Sequence, residues 1–255
     1  MQKIEVIHRS NKIPEVTLAF WIIKIAATTL GETGGDALSM SLNFGYAVST
    51  LIFSIFFLIA VIAQVRANSF HPFLYWAVII TTTTVGTTMA DFADRSLGIG
   101  YIGGSLILFA FLITSLALWR WRIGSVSVNN INTSEAEIFY WVTILYSNTL
   151  GTALGDFLAD SSGFGYEGGA LIFAGMLLCI AAAYYFTRMS RTLLFWMAFI
   201  LTRPLGATLG DILTKPVDHG GFDLSRFSSS AVLALVMIAC IFFMSGKPGR
   251  HPAIS

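Results

Sequence analysis

Eight apolar runs of about 20 residues each fill most of this 255-residue chain. A helix of about that length is needed to cross the hydrocarbon core of a bilayer. Only 11% of the residues are charged, whereas a soluble domain carries about a quarter. The sequence therefore predicts an all-α polytopic membrane protein, a single membrane domain with eight transmembrane helices. The predicted helices occupy residues 16–36, 45–65, 72–92, 100–120, 138–157, 166–187, 192–212 and 227–245.

A motif of tryptophan, glycine and aspartate, W-x9-G-x4-D, occurs once on each odd-numbered run. Its members are Trp21, Trp76, Trp141 and Trp196, then Gly31, Gly86, Gly151 and Gly206, then Asp36, Asp91, Asp156 and Asp211. The spacing predicts four two-helix repeats at residues 16–65, 72–120, 138–187 and 192–245, with a central cytoplasmic loop at 122–137. We interpret the glycines as helix-packing contacts. The tryptophans lie about 22 Å from the aspartates along a helix, so we expect them to anchor at the cytoplasmic interface.

The four tryptophans and the G-x4-D spacing resemble a family of bacterial membrane proteins of unknown function. Proteins of that family contain four tandem repeats, each with two transmembrane segments and a shared tryptophan. The resemblance covers about residues 16–245 and implies a bacterial inner-membrane protein. It implies no particular activity.

Lysine and arginine are concentrated on one side of the predicted membrane. Ten lie on the side of the termini: Lys3, Arg9, Lys12, Arg66, Arg120, Arg122, Arg188, Arg191, Lys247 and Arg250. Three lie on the other side: Arg95, Lys215 and Arg226. Because cytoplasmic loops carry the excess of basic residues, both termini of this multi-pass protein are predicted to be cytoplasmic.

The turn that follows the aspartate differs in one repeat. A Gly-Tyr pair follows the first three aspartates at Gly45-Tyr46, Gly100-Tyr101 and Gly165-Tyr166. The fourth copy has His219-Gly220-Gly221-Phe222 and extra residues before its even run. The fourth turn is therefore predicted to have a different structure.

Each odd run carries polar residues on the helix face that ends at its aspartate, because residues three or four apart share a face. The candidate pathway residues on these faces are Thr28, Glu32, Asp36, Thr87, Asp91, Asn148, Thr152, Asp156 and Asp211. The even runs are almost wholly apolar, as in residues 47–65. Lipid accepts apolar helices on all sides but excludes polar faces, which predicts an inner set of odd helices and an outer set of even helices. A threonine hydroxyl can also bond only to its own backbone, so each threonine alone is equally consistent with packing.

Three charged residues lie deep in the odd runs. Lys24 and Arg203 are candidate charge-balancing residues, and Glu32 is their candidate partner. We expect Lys24 to pair with Glu32 through Thr28 or water, and Arg203 to pair with Glu32 or with an aspartate of a neighbouring repeat. The five acids and two bases of the odd runs leave a net charge of −3, which a cation or several protons would balance. Pro204 is expected to break the seventh helix.

Carboxylates with hydroxyl groups suit hard cations such as Mn²⁺, Mg²⁺ and Ca²⁺. The histidines all lie outside the apolar runs, and Cys179 and Cys240 are typical of packing residues. The predicted metal ligands are Glu32, Asp36, Asp91, Asp156 and Asp211. No cofactor is expected other than a bound divalent cation.

These features predict a proton-coupled secondary transporter of a small cation. Its expected partners are the lipid bilayer, the cation, protons and a second copy in a homo-oligomer; the net charge of +1 predicts no nucleic acid. A cation channel with an outer aspartate ring, a non-transport scaffold or sensor, and a carrier of an anion attracted by Lys24 and Arg203 stay open. The transporter is favoured over the channel because Glu32, Lys24 and Arg203 make the repeats unequal. We expect no enzyme, although a carboxylate pair could support intramembrane proteolysis.

Overall fold

A computed structural model describes residues 11–244 and Pro248 of the chain. The described part is helical, with eight long helices and short connections. The helices are α1 (Leu18–Asp36), α2 (Gly45–Arg66), α3 (Pro72–Asp91), α4 (Gly100–Ile123), α5 (Ser134–Asp156), α6 (Gly165–Phe186), α7 (Arg191–Thr214) and α8 (Arg226–Met244). The basic residues Lys3, Arg9, Lys247 and Arg250, used to predict the orientation, lie outside the described residues.

A capping residue explains where α5 begins. The hydroxyl of Thr133 accepts a hydrogen bond from the backbone N–H of Ala136 at 3.1 Å, which caps α5. Helix α5 therefore begins four residues before the predicted start at 138, and α4 continues to Ile123. The predicted central loop 122–137 is thus too long, and its non-helical part between α4 and α5 spans residues 124–133 apart from a short 3₁₀ turn, Val128–Asn130.

The four odd helices form a closed ring. Helix α1 packs against α3 and α7, and α5 packs against the same two helices, so that α1 faces α5 and α3 faces α7 across the ring axis. Each even helix packs on the outside against one odd helix: α2 on α3, α4 on α5, α6 on α7 and α8 on α1. The prediction of inner odd helices and outer even helices is confirmed. Each even helix covers the inner helix of the next repeat, and α8 closes the circle on α1.

Within the described part of the chain, six helices are long and apolar enough to cross a membrane: α2, α3, α4, α6, α7 and α8. The inner spans that contain α3 and α7 are about two-thirds or more buried within the protein, whereas the outer spans are mostly exposed. Helices α1 and α5 do not reach the same apolar content among the described residues. Their polar side chains are buried against the other inner helices, for example Lys24 and Asn148.

The first three repeats share one connection between their two helices, and the fourth repeat has another. Short π-helical segments follow the first three aspartates, at Ala37–Ser41, Phe92–Ser96 and Phe157–Ser161. The next helix then starts at a glycine with positive φ, where a side chain would be strained. The fourth connection instead contains a 3₁₀ turn at Val217–His219, and α8 starts at Arg226. The prediction of a different fourth turn is confirmed.

Pro204 lies inside α7, and the helix is continuous through it from Arg191 to Thr214. The predicted break at this residue is therefore wrong. The proline ring packs near Gly151 of α5, and within α7 the Thr208 hydroxyl donates a hydrogen bond to the Pro204 carbonyl at 3.1 Å. A proline inside a helix removes one backbone hydrogen bond, and α7 stays helical on both sides of it.

An aromatic layer fills the ring at the end where the tryptophans lie, called the tryptophan end below. The residue before each motif tryptophan is also aromatic: Phe20, Tyr75, Tyr140 and Phe195. Each of these rings contacts the tryptophan of the next repeat, with centroids 5.4, 5.5, 6.3 and 5.7 Å apart. The rings of Trp76, Trp141 and Trp196 are buried. The expectation that the tryptophans anchor the protein at the lipid interface is therefore wrong for these three; they pack the inside of the ring.

The segment before α1 covers this aromatic layer. Ile13 is buried in the same apolar core, and Lys12 forms a buried ion pair with Glu137 in the first turn of α5. Lys12 also donates hydrogen bonds to the carbonyls of Gln64 and Val65 at the end of α2, at 2.9 and 3.1 Å. A lysine is favourable at a helix C-terminus because of the helix dipole. The tryptophan end of the helix ring is thus closed by aromatic side chains and by the segment before α1, which Lys12 and Ile13 hold in place.

Candidate functional site

Arg203 lies fully buried at mid-depth in the ring and reaches across its axis. Its Nη2 atom lies 2.8 Å from Oε2 of Glu32 on the neighbouring helix α1. The same nitrogen donates to the hydroxyl of Thr87 on α3, which is the helix opposite α7. Thr87 also donates to Glu32 Oε2 at 3.3 Å. The structure therefore pairs Arg203 with Glu32, one of the two partners expected from the sequence.

The side chain of Lys24 is the second one that reaches across the ring axis, from α1 to the opposite helix α5. Its amine lies 3.1 Å from Oδ1 of Asn148 on the opposite helix α5, and 4.2 Å from the centre of the Phe199 ring. Asn148 in turn donates to the hydroxyl of Thr82 on α3 at 3.0 Å. Thr28 does not connect Lys24 to Glu32 as expected, because its hydroxyl donates to backbone carbonyls; Lys24 bonds to Asn148, and Arg203 holds the Glu32 carboxylate. Two basic side chains thus connect opposite helices and block the axis.

Four motif aspartates form a layer at the other end of the ring, called the aspartate end. All four are buried, with 2–3% of each residue exposed. Arg95 bridges Asp91 and Asp156, at 3.1 and 3.4 Å. Lys215 bridges Asp211 and Asp36, at 3.2 and 3.3 Å. The four aspartates therefore form two bridged pairs, one between α3 and α5 and one between α7 and α1.

The bridging bases make the ring less negative than the odd runs alone predict. Arg226 lies 3.6 Å from Asp36 and is a third base at the aspartate end. Arg95, Lys215 and Arg226 lie outside the odd runs and offset part of the excess of three negative charges counted on those runs, while Asp160 adds one further acid beside Arg95. Burial lowers the pKa of Lys215, but Asp211 and Asp36 outweigh burial and hold this pKa above its ordinary value.

Sequence reasoning missed Arg95 and Lys215 as site residues, although a signal was present. Each lies four residues after a motif aspartate, where a side chain shares the helix face of the aspartate. The equivalent residues in the other two repeats are Met40 and Asp160. Asp160 joins the Arg95 cluster at 3.6 Å and accepts hydrogen bonds from Tyr101 and Tyr166. The aspartate end therefore alternates between repeats with a bridging base and repeats without one.

A model of the family described as Repeat of Unknown Function (DUF347) matches the chain four times. The matches cover residues 19–70, 74–124, 139–190 and 194–246. The chain belongs to the DUF347 repeat family. Each match begins two residues before a motif tryptophan, so the four DUF347 repeats are in the register of the W-x9-G-x4-D motif. No curated protein and no solved structure matches the chain.

The motif glycine of each DUF347 repeat lies where its inner helix closely approaches the next one. A Cβ atom on the glycine would lie within about 3 Å of the facing residue, too close for ordinary contact. The facing pairs are Gly31 with Thr83, Gly86 with Asn148 and Thr149, Gly151 with Arg203, and Gly206 with Thr28. The last pair closes the ring between the fourth and first repeats. The glycines therefore set the spacing of the ring.

Among the described residues, the hydroxyls of two predicted pathway threonines bond to backbone carbonyls alone. Thr28 donates to the carbonyl of Thr202 on α7 at 3.1 Å and to carbonyls of its own helix. Thr152 donates to the carbonyl of Asn148 at 3.3 Å. Both residues are fully buried, and these bonds match the packing interpretation of the two threonines.

Three of the five predicted metal ligands come together. Glu32, Asp36 and Asp211 each offer one carboxylate oxygen, and these oxygens all lie within 4.8 Å of one another. Oxygens at such separations can coordinate one hard cation, whose metal–oxygen distances are about 2.1–2.5 Å. Asp91 and Asp156 lie in the other bridged pair, with Arg95. The candidate cation site is thus formed by α1 and α7, beside the ammonium group of Lys215.

Proposed function

We propose that this protein is an eight-span secondary transporter of a bacterial inner membrane, with both termini in the cytoplasm. Its substrate is a small cation, of which Mn²⁺, Mg²⁺ and Ca²⁺ fit best, and its transport is coupled to protons. Helices α1 and α5 contain 19 and 23 residues, long enough at about 1.5 Å per residue to reach across the hydrocarbon core. Their polar faces are tolerated because the ring encloses them.

One observation carries the cation proposal: the Lys215 ammonium lies between two carboxylates of the Glu32, Asp36 and Asp211 group. This lysine is a tethered cation beside the place where a free cation would bind. A divalent cation that enters must displace Lys215, and its second positive charge offsets the loss of that ion pair. Protons compete for the same carboxylate oxygens. Exchange between the tethered and the free cation provides a binding step that responds to both cation concentration and pH.

The closed axis favours a carrier over a channel. The side chains of Lys24 and Arg203 cross between opposite helices, and the aromatic layer closes the tryptophan end. An outer channel ring would need four free aspartates, whereas here two bases bridge them in pairs. Movement of an ion along this axis requires the crossing side chains to move, which is the behaviour of an alternating-access transporter.

Replacing Asp211 with asparagine is expected to abolish cation binding and transport. The test measures the melting temperature of purified protein with Mn²⁺, Mg²⁺ or Ca²⁺, followed by flux of the effective cation into proteoliposomes. A cation at 100 times its Kd stabilises the native state by about 2.7 kcal/mol, so the wild-type melting temperature should rise measurably. The Asp211→Asn variant should show neither the rise nor the flux.

Asp218→Asn is the matched control, because Asp218 lies in the fourth connection with its side chain 79% exposed. This variant should bind and transport as the wild type does. Stabilisation of the Asp211→Asn variant equal to that of the wild type would contradict the cation site. A wild-type protein that neither binds nor moves any of the three cations would contradict the proposed function.

A further inference from the structure

Lys24 is the one charged residue at its level of the ring. The equivalent positions, twelve residues before each motif aspartate, hold Ile79, Ile144 and Phe199 in the other repeats. All four side chains at this level point into the core or the axis, and Lys24 is fully buried. A lysine that takes the place of an apolar residue in one repeat out of four is not needed to build the ring.

The surroundings of Lys24 suit a neutral amine better than an ammonium ion. An ammonium group has three N–H donors, but the described residues offer its nitrogen one oxygen acceptor, Asn148 Oδ1, and the face of the Phe199 ring. None of them offers a carboxylate at ion-pair distance. An unpaired buried charge is strongly unfavourable, whereas a neutral amine can donate one hydrogen bond to Asn148 and leave its lone pair free.

Arg203, the other buried base on the axis, has the carboxylate partner that Lys24 lacks among the described residues. It is equally buried, it cannot lose its proton, and it has the Glu32 carboxylate at 2.8 Å. The ring thus supplies a counter-charge to the base that is always charged and none to the base that can become neutral. Arg203 also adds a second positive charge on the same axis, which opposes protonation of Lys24.

We propose that Lys24 carries the proton that is moved in the transport cycle, whereas protons on the carboxylates only compete with cation binding; this role rests on the proposed function. A proton on Lys24 repels a cation held by Glu32, two turns further along α1. Proton uptake and cation release are therefore linked through the axis. Besides Lys24, the titratable or charged side chains of α1 and the helices around it are Glu32 and Asp36 of α1, Tyr75 and Asp91 of α3, Glu135, Glu137, Tyr140, Tyr146 and Asp156 of α5, Arg191, Arg203 and Asp211 of α7, and Arg226 and Cys240 of α8. Tyr75 and Tyr140 bond to each other at 2.6 Å in the aromatic layer, and Glu32 is held by Arg203.

The transport test compares wild type with Lys24→Met in proteoliposomes, using Mn²⁺ as the probe and a trapped pH dye. Two rates are measured: Mn²⁺ exchange without a pH gradient, and Mn²⁺ uptake driven by a pH gradient. The variant is expected to keep exchange and to lose both pH-driven uptake and the accompanying proton movement. Ile144→Met, at the same level of the ring, is the matched control and should keep both rates. Proton-coupled uptake by Lys24→Met would overturn the proposal.

A second measurement needs no transport, so the two proposals can fail separately. A group that is neutral when folded and protonated when unfolded makes stability rise with pH, because the unfolded state binds more protons. From about pH 7 to pH 10, the melting temperature of the wild type should therefore rise relative to that of Lys24→Met and of Lys24→Gln. A difference in melting temperature that stays constant with pH would overturn the proton-binding role. Stabilisation of the wild type by chloride, absent in the variants, would also overturn it, because Lys24 would then be charged and paired with an anion. A wild type that moves no cation but shows the pH-dependent difference would refute only the transport function.

Discussion

Replacing Arg203 with methionine is expected to lower the free energy of unfolding by about 3–5 kcal/mol, because the Glu32 carboxylate would remain buried without its partner. The Arg203–Glu32 pair is almost completely inaccessible to solvent, and Thr87 is the remaining polar contact of that carboxylate oxygen. Few single substitutions in this protein should cost as much, since the charge lies at mid-depth and cannot reach water. Denaturant or thermal unfolding in a mild detergent measures the effect.

The double variant Arg203→Met, Glu32→Gln should recover much of the lost stability, because it removes both charges together. Arg122→Met is the matched control, since Arg122 forms an Arg–Glu pair with Glu135 in which both side chains are more than half exposed. An exposed pair contributes about 0–1 kcal/mol. If Arg203→Met and Arg122→Met destabilise the protein equally, the buried pair is not a structural element of the ring. Recovery of stability without recovery of transport in the double variant would separate the structural role of Glu32 from its role in binding.

The sequence predicted the arrangement of the helices well because two local signals carry that information. Apolar runs of sufficient length mark each helix, and the polar faces of the odd runs show which helices avoid lipid. Neither signal depends on long-range contacts. The seventh helix shows the limit of such reasoning: a proline normally disrupts a helix, but α7 is continuous through Pro204, which packs close to Gly151 of α5.

Apart from the Arg203–Glu32 pair, the partners of the buried charges could not be predicted from the sequence. Lys24 pairs with Asn148, and Arg203 contacts Thr87, because α1 faces α5 and α7 faces α3 across the ring. That order follows from closure of the ring by α7 and α8 on α1, which is a contact between the two ends of the chain. The bridging roles of Arg95 and Lys215 were within reach, since each is four residues from its own aspartate. Their second aspartates belong to neighbouring repeats and again depend on the ring.

The tryptophans show the same dependence on context. A tryptophan near the end of a transmembrane helix usually lies at the lipid interface. Here an aromatic residue precedes each tryptophan, and the two rings of one repeat pack against those of its neighbours, as Tyr75 does against Trp141. The four-fold recurrence of this aromatic pair was visible in the sequence. A repeated pair of large aromatic residues at one level of four inner helices indicates a shared core layer.

Replacing Gly31 with alanine is expected to destabilise the protein by about 1–3 kcal/mol, the usual cost of overpacking a core. The new Cβ atom would lie 2.6 Å from the Cβ atom of Thr83 and 3.1 Å from its backbone carbonyl carbon. A change of rotamer cannot move either atom, so α1 and α3 would have to separate. Separation would also disturb the Thr87 and Glu32 contacts one turn away, and transport should fall together with stability. Thermal unfolding and flux measured on the same preparation test both effects.

Gly34→Ala is an internal control on the same helix, three residues further along. A Cβ atom on Gly34 would meet nothing within 4 Å, so this variant should be as stable as the wild type or slightly more stable, since alanine is the better helix former. The double variant Gly31→Ala, Thr83→Gly should be destabilised by less than the sum of the two single changes. Glycine at position 83 removes the side chain with which the new Cβ atom at position 31 would clash. Equal stability of Gly31→Ala and Gly34→Ala would contradict the close approach of α1 and α3. The same comparison would then remove the physical reason for a glycine in the W-x9-G-x4-D motif, because that reason is the tight spacing of neighbouring helices in the inner ring.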